Sequence, residues 1–173
     1  MSVAGNVLII CYGNPIRGDD GAGWRAAELL ADDPRAVGAQ VLARHQLTPE
    51  LAEDVSRASL LVLVDASEEP GVAGSVSVYP VPDSPKAGSA FSHHVDPTHL
   101  LQLAATLFGQ SPRAVQVSIR VADIDPGTAL SAPVEAGMPM LVDAVIDLIN
   151  QHRQRCAWDV ARRRACRRVL PPG

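Results

Sequence analysis

Apolar and polar positions along the chain fall into two rhythms, one of period two or shorter and one close to 3.6. Val7–Tyr12 is an unbroken apolar run that stops at Gly13-Asn14-Pro15, the pattern of a strand buried on both faces. Asp19 and Asp20 then precede residues 22–31, where Ala22, Ala26, Leu29 and Leu30 recur at helical spacing. Residues 40–44 predict a second strand. Thr48-Pro49-Glu50 predicts the start of a helix reaching about Arg57, with Thr48 as N-cap and Pro49 in the first helical position. Residues 60–64 are again wholly apolar and end at Asp65, while 75–81 sets Val76 and Val78 against Ser75 and Ser77, as in a half-exposed strand near a sheet edge. The Pro-, Ser- and Gly-rich stretch 82–92 predicts a loop leading to His93, His94 and His99, with a helix over Pro97–Phe108. Residues 115–121 predict a fifth strand. Residues 134–150 predict a last long helix, on which Val134, Met138, Leu141, Val145 and Leu148 share one face.

Strands alternating with helices predict an α/β fold: a three-layer α/β/α sandwich around a mostly parallel, five-stranded twisted sheet. Ligands of such sheets bind beyond the carboxyl ends of the strands. That rule singles out the loop after the first strand, Asp65 after the third, and the histidines that follow the 82–92 loop. No repeat or linker divides residues 1–150, which are expected to form one domain. Residues 151–173 form an Arg-rich extension, helical or tail-like, into which the last helix is expected to continue for a few turns past Asn150, and whose Cys156, Trp158, Val160 and Cys166 are too sparse to build a core.

Composition sharpens this picture. Hydrophobic residues make up 47% and charged residues 20%, as in a globular domain, and aromatics only 3%, so the core must come from Ala, Val, Leu and Ile. The odd set Cys11, Cys156 and Cys166 has no framework spacing, which argues against a disulfide-stapled secreted domain. The start of the chain carries no basic leader, and no stretch approaches the roughly 20 apolar residues of a membrane span. The expectation is a cytoplasmic protein without a membrane partner. The net charge of −4 is unevenly spread. Seven of the 15 Lys and Arg fall in 151–173 against the single acid Asp159, giving +6 there and leaving −10 on residues 1–150. An acidic body argues against nucleic acid as a partner. The basic tail is expected to be solvated, to add little to the fold, and to attract an acidic protein partner if it has a role.

The loop from Gly13 to Gly23 carries the chemistry. Its glycines match neither G-x-G-x-x-G nor the P-loop, and two carboxylates would repel a phosphate, although a nucleotide- or phosphate-binding domain remains an alternative. One carboxylate is enough to cap the helix; Asp19 or Gly18 is expected to do so, leaving Asp20 to face the crevice. Asp65 either faces the same crevice or bonds the amides of its own turn. A histidine taken alone is most often structural. Two carboxylates and one imidazole together suit a borderline divalent metal such as nickel or zinc. There is no G-x-S-x-G elbow and no H-E-x-x-H helix. Cys11 lies in an apolar strand, where burial makes a thiol inert, so no covalent nucleophile is expected.

At these residues a resemblance emerges. Residues 7–23, with Gly18-Asp19-Asp20-Gly21-Ala22-Gly23, resemble the opening motif of the hydrogenase maturation protease family. Residues 60–66 are similar to the family's apolar strand ending in Asp-Ala. Residues 92–104 resemble its His-containing segment, and Leu130-Ser131-Ala132-Pro133-Val134-Glu135 resembles the motif before its last helix. The resemblance covers about residues 6–150 in the same order. It implies a cytoplasmic endopeptidase that removes the C-terminal extension of a [NiFe] hydrogenase large-subunit precursor after nickel insertion. Nickel in that precursor is then the recognition element, another divalent metal can stand in for it in vitro, and maturation accessory proteins are further partners. Carried over position by position, the metal-contacting and catalytic residues fall on Asp20, Asp65 and His93. His93 is preferred to His94 because His93-x-Val95-x-Pro97-x-x-Leu100-Leu101 keeps the family's spacing into the helix. One departure is local: where many members have a Gly-Gly-Thr turn, this chain has His45-Gln46-Leu47-Thr48-Pro49-Glu50, similar to members that serve bidirectional, NAD-linked hydrogenases. A non-catalytic metal-dependent maturation chaperone is the other alternative.

Overall fold

A computed structural model describes residues 5–82, 95–127 and 129–167, with the side chains of the last helix described as far as Arg162. Five strands, β1 (Val7–Tyr12), β2 (Ala39–Arg44), β3 (Leu60–Ser67), β4 (Val76–Pro80) and β5 (Arg113–Arg120), form one sheet in the order β2-β1-β3-β5-β4. β2, β1, β3 and β5 are parallel, and β4 closes one edge antiparallel to β5. The helices are α1 (Ala22–Asp32), α2 (Leu51–Arg57), α3 (Pro97–Phe108) and α4 (Ala132–Arg167). This is the expected three-layer arrangement.

Strict alternation along the buried strands divides the core in two. Val7, Ile9 and Cys11 with Val62, Val64, Val117 and Ile119 pack against α1 and α4. Leu8 and Ile10 with Leu61 and Leu63 pack against α2 and α3. Each layer buries small aliphatic chains almost completely, at about 0.8 kcal/mol per buried methylene, and needs few aromatics.

Several element boundaries shift by a residue or two from the sequence expectation, and those of β3 and α2 matter most here. β3 runs on to Ser67 because its partner β5 continues alongside it, so Asp65 lies inside a strand rather than in the turn after one. α2 begins at Leu51, not at Pro49: the Thr48 carbonyl accepts the Leu51 N–H in a turn, and the N-cap, Glu50, makes no side-chain cap bond. α4 is one helix of 36 residues, about 54 Å long at 1.5 Å per residue, and continues past Asn150 as expected. Its residues just past Asn150 are tied to the domain. His152 is buried with Nε2 at 2.8 Å from the Ser59 hydroxyl, and the Arg153 guanidinium bonds the Arg35 carbonyl at 3.2 Å. α3 matches its prediction, with Asp96 capping the His99 N–H at 2.7 Å, Pro97 leading the helix and Gly109 ending it in the left-handed conformation. No described helix is long and apolar enough to cross a membrane.

Candidate functional site

Strand order reverses at β1, whose neighbours β2 and β3 lie on opposite sides. α/β sheets bind ligands beyond the carboxyl ends at such a point, and the glycine loop leaves β1 there. The loop is built for close approach. Gly13 has φ +142°, and a Cβ there would lie 2.1 Å from the Asp20 carbonyl oxygen; a Cβ on Gly23 would lie 2.3 Å from the Tyr12 carbonyl oxygen. Between Gly13 and Asp20 every backbone N–H is already committed. Gly13 donates to the Arg44 carbonyl, Ile16 and Arg17 to Asn14, Gly18 to Gly127, Asp19 to Asp123 and Asp20 to Arg17, while Asn14 N–H donates to Asp20 Oδ2 at 3.2 Å. No amide of this stretch is left to cradle a phosphate, so the glycines serve packing.

The two adjacent aspartates have separate roles, and one differs from the expectation. Asp19 is not a helix cap. The residue before α1, Gly21, makes no side-chain cap bond, and Gly18–Gly21 forms a short 3-10 turn instead. The Asp19 side chain is fully buried and accepts from Ala122 N–H (2.7 Å), Asp123 N–H (2.9 Å), Ser131 N–H (2.7 Å) and the Ser131 hydroxyl (2.8 Å). It thereby fastens the segment between β5 and α4 to the glycine loop. Burial pushes its pKa up, but the bonds from Ser131, Ala122 and Asp123 outweigh that and hold it below the usual carboxylate range. Asp20, one residue on, is half-buried, and among the described residues its side chain has a single bond, from Asn14.

Asp65 is the focus of a polar network that runs across four strands. On the α2/α3 face the aliphatic pattern gives way, at the carboxyl ends, to Tyr12 on β1, Asp65 on β3, Gln116 and Ser118 on β5, and Tyr79 on β4. The Tyr12 hydroxyl donates to Asp65 Oδ2 at 3.1 Å and the Ser118 hydroxyl to Oδ1 at 2.5 Å. With those protons spent, Gln116 Nε2 donates to the Tyr12 oxygen (3.1 Å), and the Tyr79 hydroxyl donates to the Ser118 oxygen (3.2 Å). Every donor therefore points toward Asp65, the arrangement an ionised carboxylate requires. Burial nevertheless raises its pKa, the hydrogen bonds pull it back, and the charge of nearby Asp20 adds to the rise. Burial, followed by the charge of Asp65, likewise raises Tyr12. Among the described residues Gln116 Oε1 is the buried side-chain oxygen without a partner.

Asp20 and Asp65 thus lie near enough for the charge of Asp20 to add to the rise in the Asp65 pKa. His93 and His94 lie outside the described residues, and among those described no three His, Cys, Asp or Glu side chains form a metal cluster. Cys11 is fully buried, and burial pushes its thiol up to about 12, which makes it inert. At the rim Trp24 donates to the Gly13 carbonyl at 2.9 Å and packs on His45 with ring centroids 5.0 Å apart. A shallow groove beside the loop is lined by Pro15, Trp24, Arg25, Leu130 and Glu135. Tyr12, Gln116 and Ser118 were missed from sequence. Their signal was present in β5, where Gln116 and Ser118 are two polar residues at strand spacing in an otherwise apolar run.

Neither family models nor curated protein sequences give a match to this chain. Solved structures do. The hydrogenase maturating endopeptidase HybD from E. coli is similar at 20% identity and TM-score 0.66, covering 84% of this chain and 93% of that one. A [NiFe] hydrogenase maturation protease HycI from Thermococcus kodakarensis has TM-score 0.68 at 16% identity, over 84% and 92% of the two chains. The [NiFe] hydrogenase maturation protease HybD from Thermococcus kodakarensis reaches 25% identity and TM-score 0.62, over 83% of this chain and 99% of that one.

Proposed function

We propose that this chain, which has the fold of the hydrogenase maturation proteases, is itself an endopeptidase of that kind, acting on the nickel-loaded precursor of a [NiFe] hydrogenase large subunit. The observation that carries the proposal is the nearness of Asp20 to Asp65, whose pKa its charge helps to raise, where the strand order reverses, in the loop and strand motifs that resemble the family's. In this reading the nickel belongs to the substrate. Asp20 and Asp65, with His93 as the third donor, take hold of the metal in the precursor and so bring the peptide bond beside it to the crevice. Among the described residues Asp20 receives one bond, from a backbone N–H, which leaves its other oxygen to a metal. Asp65 is fixed in position by Tyr12 and Ser118, yet each of its oxygens keeps a lone pair. A divalent cation supplies polarisation of the scissile carbonyl or of an attacking water. The groove lined by Trp24, Leu130 and Glu135 gives an extended peptide mixed apolar and polar walls. The acidic body and inert Cys11 fit a hydrolysis that uses no thiol nucleophile. Cytoplasmic location follows from that substrate.

The phosphate-binding alternative loses its support, because the loop amides that would cradle the anion are committed within the protein. Intact-mass analysis of a nickel-loaded precursor, before and after incubation with the protein, tests the proposal. Loss of a C-terminal peptide is expected, with no loss for Asp20→Asn or Asp65→Asn. A precursor that is bound but left at full mass would mean a chaperone, and the proposal would fall.

A further inference from the structure

Gln116 stands on the face of β5 where the aliphatic pattern of the neighbouring strands would place a leucine or a valine. It pairs with Leu63 on β3 and with Tyr79 on β4, one row deeper than the Asp65–Ser118 pair, and is only 2% exposed. An amide at that depth needs both of its ends bonded, because a buried polar atom without a partner gives up water and gains nothing in return. Here one end is bonded. Nε2 donates to the Tyr12 hydroxyl oxygen at 3.1 Å, while Oε1 has no partner among the described residues. For stability alone, an apolar side chain of the same length would serve as well or better. A local choice that works against stability is the mark of a position held for function.

We propose that Gln116 is a positioning residue for Asp65 and acts on it through Tyr12. This role rests on the reading of Asp20 and Asp65 as the groups that hold the precursor's metal. A tyrosine hydroxyl has one proton to give and lone pairs with which to receive. On its own it is free to turn that proton away from Asp65 by rotating about the C–O bond. With the Gln116 N–H on one of its lone pairs, the Tyr12 proton is directed to Asp65 Oδ2, 3.1 Å away. The bond received also strengthens the bond given, since hydrogen bonds in a chain polarise one another. The other oxygen, Oδ1, is held separately by the Ser118 hydroxyl at 2.5 Å. One directed bond on each oxygen fixes the plane of the carboxylate, and with it the direction of the lone pairs left for a metal. Outer partners of a metal ligand act in this way, and losing one typically costs about 10–100-fold in affinity or activity. An aliphatic residue at 116 would fill the space but leave the Tyr12 proton undirected.

Gln116→Met keeps the length of the side chain and removes both ends of the amide, so it separates the two roles. It should melt within about 2 °C of the wild type or above it, because the unpartnered oxygen disappears together with the lost bond. The affinity for Ni2+ titrated calorimetrically into the full chain should nevertheless fall about tenfold or more. KM for the nickel-loaded precursor should rise by a similar factor with kcat held within about threefold, because Asp65 grips the metal before and during cleavage alike. Tyr12→Phe should lose as much. In the double variant the loss should fall short of the product of the single losses by about threefold or more, since both changes break one relay. The role is overturned if Gln116→Met matches the wild type in Ni2+ affinity and KM, if it melts more than about 5 °C early, or if the losses multiply in full. Failure of the protease reading looks different. A wild type that binds Ni2+ but leaves the precursor at full mass would end that reading, while the Ni2+ affinities of the variants would still decide the role of Gln116.

Discussion

Asp19 and Asp20 differ by one position, and replacing each by Asn separates a structural carboxylate from a functional one. The Asp19 side chain is wholly buried, with Oδ2 accepting from two N–H groups and a hydroxyl and Oδ1 from the Ser131 N–H. In Asp19→Asn the amide oxygen can replace Oδ2, but the new NH2 then faces the Ser131 N–H, donor against donor. One buried N–H left unpaired costs about 1–3 kcal/mol, and the remaining bonds lose the charge assistance that made them roughly twice as strong. The sum is about 2–4 kcal/mol, well above the roughly 1 kcal/mol of a lost helix cap. For a chain of this size each kcal/mol lowers the melting temperature by about 2–4 °C, so a fall of about 5–15 °C is expected by circular dichroism. Asp20→Asn keeps its one bond, because the amide oxygen still accepts from Asn14 N–H, and should melt within about 2 °C of the wild type while losing processing. A fall of only a degree or two for Asp19→Asn would mean that the 122–131 segment does not depend on this carboxylate. Equal falls for both variants would refute the division of roles.

Buried Asp19 and half-buried Asp65 should tilt stability against pH in opposite directions. Asp19, depressed in the folded state, contributes stability that is present above its ordinary value of 3.8 and is lost as pH falls through the folded pKa. Asp65, raised in the folded state, favours the fold below 3.8 and loses that contribution as pH rises through its folded pKa. Urea titrations from acid to neutral pH should therefore show a gentler acid slope for Asp19→Asn and a steeper one for Asp65→Asn; the reverse order would contradict both assignments. Truncation after Asn150 removes His152 from Ser59 and Arg153 from Arg35, and should lower the melting temperature by several degrees, about 1–3 kcal/mol. Truncation after Arg155 keeps both of these contacts and should cost less, about 2 °C at most, and equal melting of the two would show that these contacts contribute nothing. Gly23→Ala places a methyl group 2.3 Å from the Tyr12 carbonyl oxygen, so β1 and α1 must separate. Its unfolding free energy from urea titration should fall by more than about 2 kcal/mol, and a neutral result would show that the contact yields.

What the sequence determined by itself about this protein is what depends on near neighbours. The apolar runs of β1 and β3, the helical spacing of α1 and α4, and the Asp96-Pro97 start of α3 follow from local preference and burial pattern, which act over a few residues. The layer arrangement follows from their alternation, and Asp20 and Asp65 stood out because strand ends are where α/β sheets bind ligands. Tertiary structure alone decided the rest. Asp19 looked like a cap because its partners, Ala122, Asp123 and Ser131, lie more than a hundred residues away, and no local rule brings them near. Tyr12, Gln116 and Ser118 became one network only when β1, β3 and β5 paired in a particular register, since a shift of one residue would turn Ser118 to the opposite face. The glycines acquired their meaning from the backbone oxygens they approach, which the chain places by folding. Asn150 appeared to end the domain because the apolar stripe thins out there. In the folded protein the domain holds the helix through His152 and Arg153, because Ser59 and Arg35 stand where the helix passes.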